Sequence, residues 1–164
     1  MKIGVIADTH IPERAKDIPK DVLKAFNGAD MIIHAGDLVC LDVLKTLKDL
    51  TCDLRAVYGN MDPYEVRERI KEKEVIRINN FVIGVTHGYG NPVQLIDWTT
   101  RLFQGNDPDM IIFGHSHNAT NLTRNNVLYF NPGSPTDKIF ALYNSYGIID
   151  IGDKIDARII KING

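Results

Sequence analysis

Asp8-Thr9-His10, Gly36-Asp37, Gly59-Asn60, His87-Gly88 and Gly114-His115-Ser116-His117 each follow directly on a short apolar run. Carboxylate, amide and imidazole groups are ligands for hard or borderline divalent cations. The runs are residues 3–7, 31–34, 54–58, 82–86 and 110–113. One such ending would mean little. Five of them describe strands delivering ligands to one rim of a sheet. Two cations held there, roughly 3.5–4 Å apart, could clamp a phosphate and bring the pKa of a water from about 15.7 toward about 7. That is phosphate-ester chemistry.

Taken singly, each block has an ordinary alternative. Asp8 and Asp37 could be turn or capping residues, Gly59-Asn60 a plain turn, and His10 a surface histidine. Their combination changes the weighing. In an extended segment residues i and i+2 point the same way, so Asp8 and His10 can reach one ion. The two oxygens of Asp37 can bridge two ions, and Gly36 lets the backbone turn sharply beside it. Asn60 offers a neutral oxygen. His87, His115 and His117 supply imidazoles, with one histidine of the last pair for each ion. The fifth histidine, His34, lies inside its apolar run and is read as a packed core residue. Ser116 is expected to face away, packing or capping. A mixed oxygen and nitrogen set suits Mn²⁺, Ni²⁺, Co²⁺, Fe²⁺ or Zn²⁺ better than Mg²⁺ or Ca²⁺.

The elements that must position these groups can be read from apolar spacing. Residues 2–7, 31–35 and 54–58 read as buried strands. A helix opened by Pro19 lies between the first two. Another, carrying Leu41, Val43, Leu44, Leu47 and Leu50, lies between the second and third. This alternation implies parallel strands. Pro63 starts a helix through Arg67 and Ile70, and the charged run 65–73 reads as a solvated face. Residues 74–78 and 81–86 form a hairpin around Asn79-Asn80. Residues 92–103 read as a helix with Val93, Leu95 and Ile96 inward, followed by a strand at 110–113. Segments 118–124, 127–131, 146–151 and 155–162 read as antiparallel hairpins. The whole would be one domain over residues 1–164, two sheets packed face to face with helices outside.

Composition sets limits. The chain has 164 residues, is 44% hydrophobic and carries a net charge of −2, so it can bury a core and has no basic excess for long nucleic acid. No apolar run approaches the roughly 20 residues of a membrane span. Cys40 and Cys52 read as reduced thiols of a cytoplasmic protein, a thiolate ligand at Cys40 being the lesser alternative. Trp98, Phe103, Phe140 and Tyr143 are either core or the face of a homo-oligomer.

In order and type, the five blocks resemble the calcineurin-like metallophosphoesterase family, and most closely its small bacterial and archaeal phosphodiesterase branch. The loop Asn131-Pro132-Gly133-Ser134 extends the resemblance over nearly the whole chain. The family implies an α/β fold, a four-layer α/β/β/α sandwich of two mixed sheets flanked by helices, with a dinuclear centre. By position, one ion takes Asp8, His10, Asp37 and His117. The other takes Asp37, Asn60, His87 and His115, and Asp37 bridges. A hydroxide between the ions would attack a small phosphodiester in line with the leaving group, with His10 and Asn60 at the reacting centre. The cofactors implied are two divalent ions, Mn²⁺ first.

One position departs from the family pattern. Where many members carry a histidine after the asparagine, this chain has Met61, then Asp62. Methionine cannot protonate a leaving group. Asp62 could do so, or could cap the helix begun by Pro63. Arg14 is either a phosphate contact or a surface residue. The same fold, in one eukaryotic branch of the family, serves as a non-catalytic trafficking-coat subunit. A protein-binding scaffold is therefore the rival expectation.

Overall fold

The computed structural model describes residues 1–51 and 53–163. Cys52, whose thiol state was an expectation above, lies outside them. The strands are β1 (Lys2–Ile6), β2 (Met31–Ala35), β3 (Leu54–Val57), β4 (Lys73–Ile78), β5 (Phe81–Thr86), β6 (Met110–Ile112), β7 (Thr120–Arg124), β8 (Val127–Asn131), β9 (Ser145–Ile151) and β10 (Ile155–Lys161). The helices are α1 (Lys20–Phe26), α2 (Asp42–Lys48), α3 (Tyr64–Arg67) and α4 (Leu95–Leu102).

The strands form two five-stranded sheets, ordered β10-β9-β1-β2-β3 and β4-β5-β6-β8-β7. In the first, β1, β2 and β3 run parallel and β9 and β10 antiparallel to their neighbours. In the second, β5, β6 and β8 run parallel, with β4 and β7 as antiparallel edges. Ile3, Val5, Ile33 and Val57 of the first sheet meet Ile83, Val85, Ile112 and Phe130 of the second in the central core. Outside the first sheet, Val22 and Phe26 of α1, Val43 and Leu47 of α2 and Val66 of α3 cover Ile6 and Ile32. Outside the second, Leu95 of α4 packs with Phe103, Ile111 and Tyr129. These are the four layers expected, because strands buried on both faces need helices on each outer face.

Three local expectations are corrected. Val93 is 90% exposed, whereas Leu95 and Thr99 are buried. A 3-10 turn, Pro92–Gln94, precedes α4, and its different pitch turns Val93 outward. The helix after Pro63 stops at Arg67 rather than near Ile70. Lys71 is already bridged to Val57, and its carbonyl accepts the Tyr58 N–H, so the chain must extend there. The charged run is solvated as expected but is only partly helical. Finally, β8 forms the expected hairpin with β7 but also pairs in parallel with β6. Its end therefore reaches the same rim as β1, β2, β3, β5 and β6.

Candidate metal centre

The chain leaves β1 and β2 into two loops that hold each other. Asp8 N–H donates to Gly36 O at 2.9 Å and His10 N–H to Asp37 O at 3.0 Å. Asp8, His10, Asp37, His115 and His117 all have φ between 43° and 69°. That left-handed conformation costs a side-chain-bearing residue about 1 kcal/mol or more, and it persists where surroundings enforce it. Val39, two residues after Asp37 and held by the Asp62 carboxylate, shares this conformation with φ 70°, whereas Asn79, Asp107, Asn125 and Asn126 are turn residues that adopt it cheaply. Asp8 and His10 therefore meet through kinks at both positions, not through the alternation of an extended segment. His115 and His117 separate for the same reason, each ring going to a different side of the site.

Asp62 takes neither role expected of it. Its carboxylate is buried and accepts N–H groups from Asp37 at 3.0 Å, Val39 at 2.6 Å and Gly59 at 2.7 Å. Its side chain does not cap α3. With both oxygens committed to backbone, it clamps the Asp37 loop to the Gly59-Asn60 loop instead of facing a leaving group. Asp62→Asn puts an NH₂ where at least one backbone N–H now donates. A loss of about 3 kcal/mol of unfolding free energy in urea is expected, the scale of a lost charge-assisted bond plus an unsatisfied buried donor. A loss below about 0.5 kcal/mol would show that the Asp62 carboxylate does not clamp the two loops.

The candidate ligands converge. Asp8, His10 and His117 form one group and Asp8, Asp37 and His87 another, with ligand atoms in each within 4.8 Å of one another. His87 Nε2 lies 3.2 Å from Asp37 Oδ2, 3.8 Å from Asp8 Oδ1 and 3.2 Å from Asn60 Oδ1. His10 Nε2 lies 3.6 Å from Asp37 Oδ2 and 3.2 Å from His117 Nε2. His115 Nδ1 is 2.9 Å from Asn60 Oδ1. Both carboxylates thus reach both sides, Asp8 by belonging to each group and Asp37 through His10 and His87.

The donor set fits cations. His87 Nδ1 lies 2.9 Å from Ala35 O, His115 Nε2 lies 2.9 Å from Gly90 O, and His117 Nδ1 lies against Asp137 Oδ2. A carbonyl or carboxylate can only accept, so all three imidazoles spend an N–H outward. Their other nitrogens face inward among acceptors. Asp8 Oδ2 is buried without any hydrogen-bond partner. Among the described residues no lysine or arginine pairs with Asp8 or Asp37. Burial pushes the Asp8 carboxyl up to about 6, against the pull of His87 and His117. Burial also opposes charge on His87, but its bond to Asp37 and the nearby Asp8 carboxylate raise it to about 9. Without a cation, the site borrows a proton to balance its carboxylates; a bound cation would take that proton's place.

The other candidate residues have clear placements. His34 is fully buried, bonded to Thr9 Oγ1 at 3.1 Å, and burial holds it down to about 3, so it is the core histidine expected. Ser116 Oγ donates to Asn118 O and turns the local loop. Cys40 is half-buried and outside both groups. A cleft of about 520 Å³ opens over the cluster, and Arg14, Met61 and Phe140 contribute to its walls. The Arg14 guanidinium sits 5.5 Å over the Phe140 ring. Phe103 is core, whereas Phe140 is 61% exposed.

Several supports have no signal in the sequence. Ser134 Oγ donates to Asp8 O at 2.7 Å, Thr136 Oγ1 to Thr9 O at 2.7 Å and Asn131 Nδ2 to Gly114 O at 2.8 Å. The loop after β8 thus braces two ligand loops. The Asn-Pro-Gly-Ser stretch was visible as a loop, but nothing in its spacing told what it would hold.

Residues 1–154 match the profile of the calcineurin-like phosphoesterase superfamily domain. A probable metallophosphoesterase of Methanocaldococcus jannaschii is 37% identical, the alignment covering 99% of this chain and 82% of that protein. A phosphodiesterase of the same organism is 30% identical over 81% of this chain and 83% of its own length. Among solved structures, Vps29 of Chaetomium thermophilum has the same fold, with a TM-score of 0.83, 21% identity and coverage of 99% and 95% of the two chains. The chain belongs to the calcineurin-like phosphoesterase superfamily.

Proposed function

We propose that this chain is a cytoplasmic, dinuclear metal-dependent phosphodiesterase acting on small phosphodiesters. The carrying observation is the set of inward imidazole nitrogens around two buried carboxylates, one of which has an oxygen with no partner. Asp8, His10, Asp37 and His117 would hold one ion, and Asp37, Asn60, His87 and His115 the other, with Asp37 shared. Mn²⁺ is the first candidate and Ni²⁺ the second, on ligand chemistry. When bound, such ions would polarise a phosphoryl oxygen and supply a nucleophilic water at neutral pH.

The chain's own residues do the rest. The outward hydrogen bonds of His87, His115 and His117 fix their rings before substrate arrives. His10, beside Asp37 and His117, and Asn60, beside His87 and His115, would flank the reacting phosphorus. Arg14, over the Phe140 ring at the cleft wall, would be the side chain to meet a phosphate oxygen. Met61 spends its N–H on Asp37 Oδ1 at 2.7 Å, and its thioether has no proton to transfer. With Asp62 turned to backbone, neither residue 61 nor 62 would protonate the leaving oxygen, which leaves a metal-bound water or a group of the substrate as its proton source. Esters of acidic alcohols are therefore the expected substrates.

The test is hydrolysis of bis-p-nitrophenyl phosphate beside a dialkyl diester. Activity on the aryl diester is expected with Mn²⁺ or Ni²⁺ and none with excess chelator. The dialkyl diester should be slower by at least about a hundredfold, the lower range of a missing general acid. Full aryl-diester activity in chelator, or equal rates on both esters, would contradict this function. A protein-binding scaffold of the same fold is the rival reading, and metal binding without hydrolysis of either ester would favour it.

A further inference from the structure

We infer that Asp137 is a positioning residue that makes the Asp8–His10–His117 group the tighter of the two cation sites and ties it to the Phe140 wall of the cleft. This rests on the phosphodiesterase reading above.

Asp137 is 1% exposed. Its Oδ2 lies against His117 Nδ1, so that nitrogen donates and Nε2 keeps its lone pair inward, 3.5 Å from Asp8 Oδ1 and 3.2 Å from His10 Nε2. The same carboxylate accepts the N–H groups of Ile139 at 2.9 Å and Phe140 at 3.2 Å. Its backbone is held too: its N–H donates to Ser134 Oγ at 3.0 Å, and its carbonyl accepts Asn144 Nδ2 at 2.7 Å. Among the described residues it pairs with no lysine or arginine. Its negative charge is therefore directed at one imidazole.

That arrangement differs from the other side of the site. His87 and His115 give their outer N–H to neutral backbone carbonyls, those of Ala35 and Gly90. A carboxylate behind an imidazole fixes the tautomer and strengthens the inward nitrogen as a cation ligand, and removing such a partner typically costs about 10–100-fold in metal affinity. The site is thus asymmetric. The Phe140 ring also packs edge-on against His117, with centroids 5.9 Å apart and planes at 80°. Since Asp137 holds both the His117 ring and the Phe140 backbone, an ion on that side and the cleft wall share one anchor. A turn-forming aspartate would account for the bonds to Ile139 and Phe140, but not for the bond to His117.

The experiment is calorimetric titration of the full chain with Mn²⁺, wild type against Asp137→Asn, which keeps the size and removes the charge. Two binding events are expected in the wild type. In the variant the tighter should weaken by about 10–100-fold, and the other should stay within about threefold. Unchanged affinities, or equal weakening of both events, would overturn the inference. A long-range proton–nitrogen spectrum of the metal-free wild type needs no variant and should show His117 protonated at Nδ1; protonation at Nε2 alone overturns it. A wild type that binds no Mn²⁺ sinks the phosphodiesterase reading and this inference together. Two wild-type events with no change in the variant sink the inference alone.

Discussion

Asp37→Ala is expected to lower kcat/KM for an aryl phosphodiester by about a thousandfold or more at saturating Mn²⁺. The carboxylate reaches His10 at 3.6 Å and His87 at 3.2 Å, so its loss removes a ligand from both sides at once. Charge stabilisation by bound cations is worth several kcal/mol, and about 4 kcal/mol is about a thousandfold in rate. The fold should survive. Asp62 still accepts the backbone N–H at position 37, Asp8 still bonds Gly36 O, and no apolar core residue is touched. What the variant leaves behind is a Met61 N–H without its acceptor and a His87 without the bond that raises it. Steady-state kinetics beside a far-UV circular dichroism spectrum would check both halves. Wild-type turnover in this variant would remove Asp37 from the centre.

Gly59→Ala is expected to be nearly as damaging, although it deletes no ligand. A Cβ at position 59 would stand 2.2 Å from Asp37 Oδ1, 2.6 Å from His87 Cδ2 and 2.7 Å from the Asp37 nitrogen. None of these can yield cheaply. Asp37 Oδ1 is bonded to Met61 N–H, the Asp37 N–H to Asp62, and the His87 ring to Ala35 O. The methyl must therefore push both ligands off their positions. Overpacking of this kind costs about 1–3 kcal/mol of stability, and a displacement near 1 Å can cost about a hundredfold in rate. A lower melting temperature and loss of at least one bound Mn²⁺ per chain are the measurable consequences. Unaltered metal stoichiometry and rate would show that the loops are softer than their hydrogen bonds imply.

The sequence carried a great deal here, for identifiable reasons. Residues 31–35 are apolar apart from the packed His34 because β2 is buried on both faces, and the ending of that run in Gly36-Asp37 is local chemistry that survives as a string. The same holds for β1, β5 and β6, so the candidate ligands could be named before any coordinates. Gly36 was legible as a sharp turn, and its φ is 91°. Other features depend on partners distant in sequence. The bond between His117 and Asp137 spans 20 residues, and Ser134 meets Asp8 across 126. No period or motif encodes such a pairing. The role of Asp62 is hidden in the sequence because capping and acid roles follow from sequence neighbours, whereas two of its three partners, Asp37 and Val39, come from the preceding loop. Val93 was misplaced because a helical period was carried back through a 3-10 turn. The kinked backbone at Asp8 and His10 was equally hidden: nothing in Asp-x-His announces a left-handed φ at both ends.

The proposed phosphodiesterase requires that five strand-end loops hold two divalent cations side by side. Anomalous diffraction at the manganese edge, from crystals grown with Mn²⁺, tests it most directly. The expected map has two peaks per chain, one among Asp8, His10 and His117 and one among Asp37, Asn60, His87 and His115. A map with no peak in that cluster, or with manganese elsewhere, would contradict it.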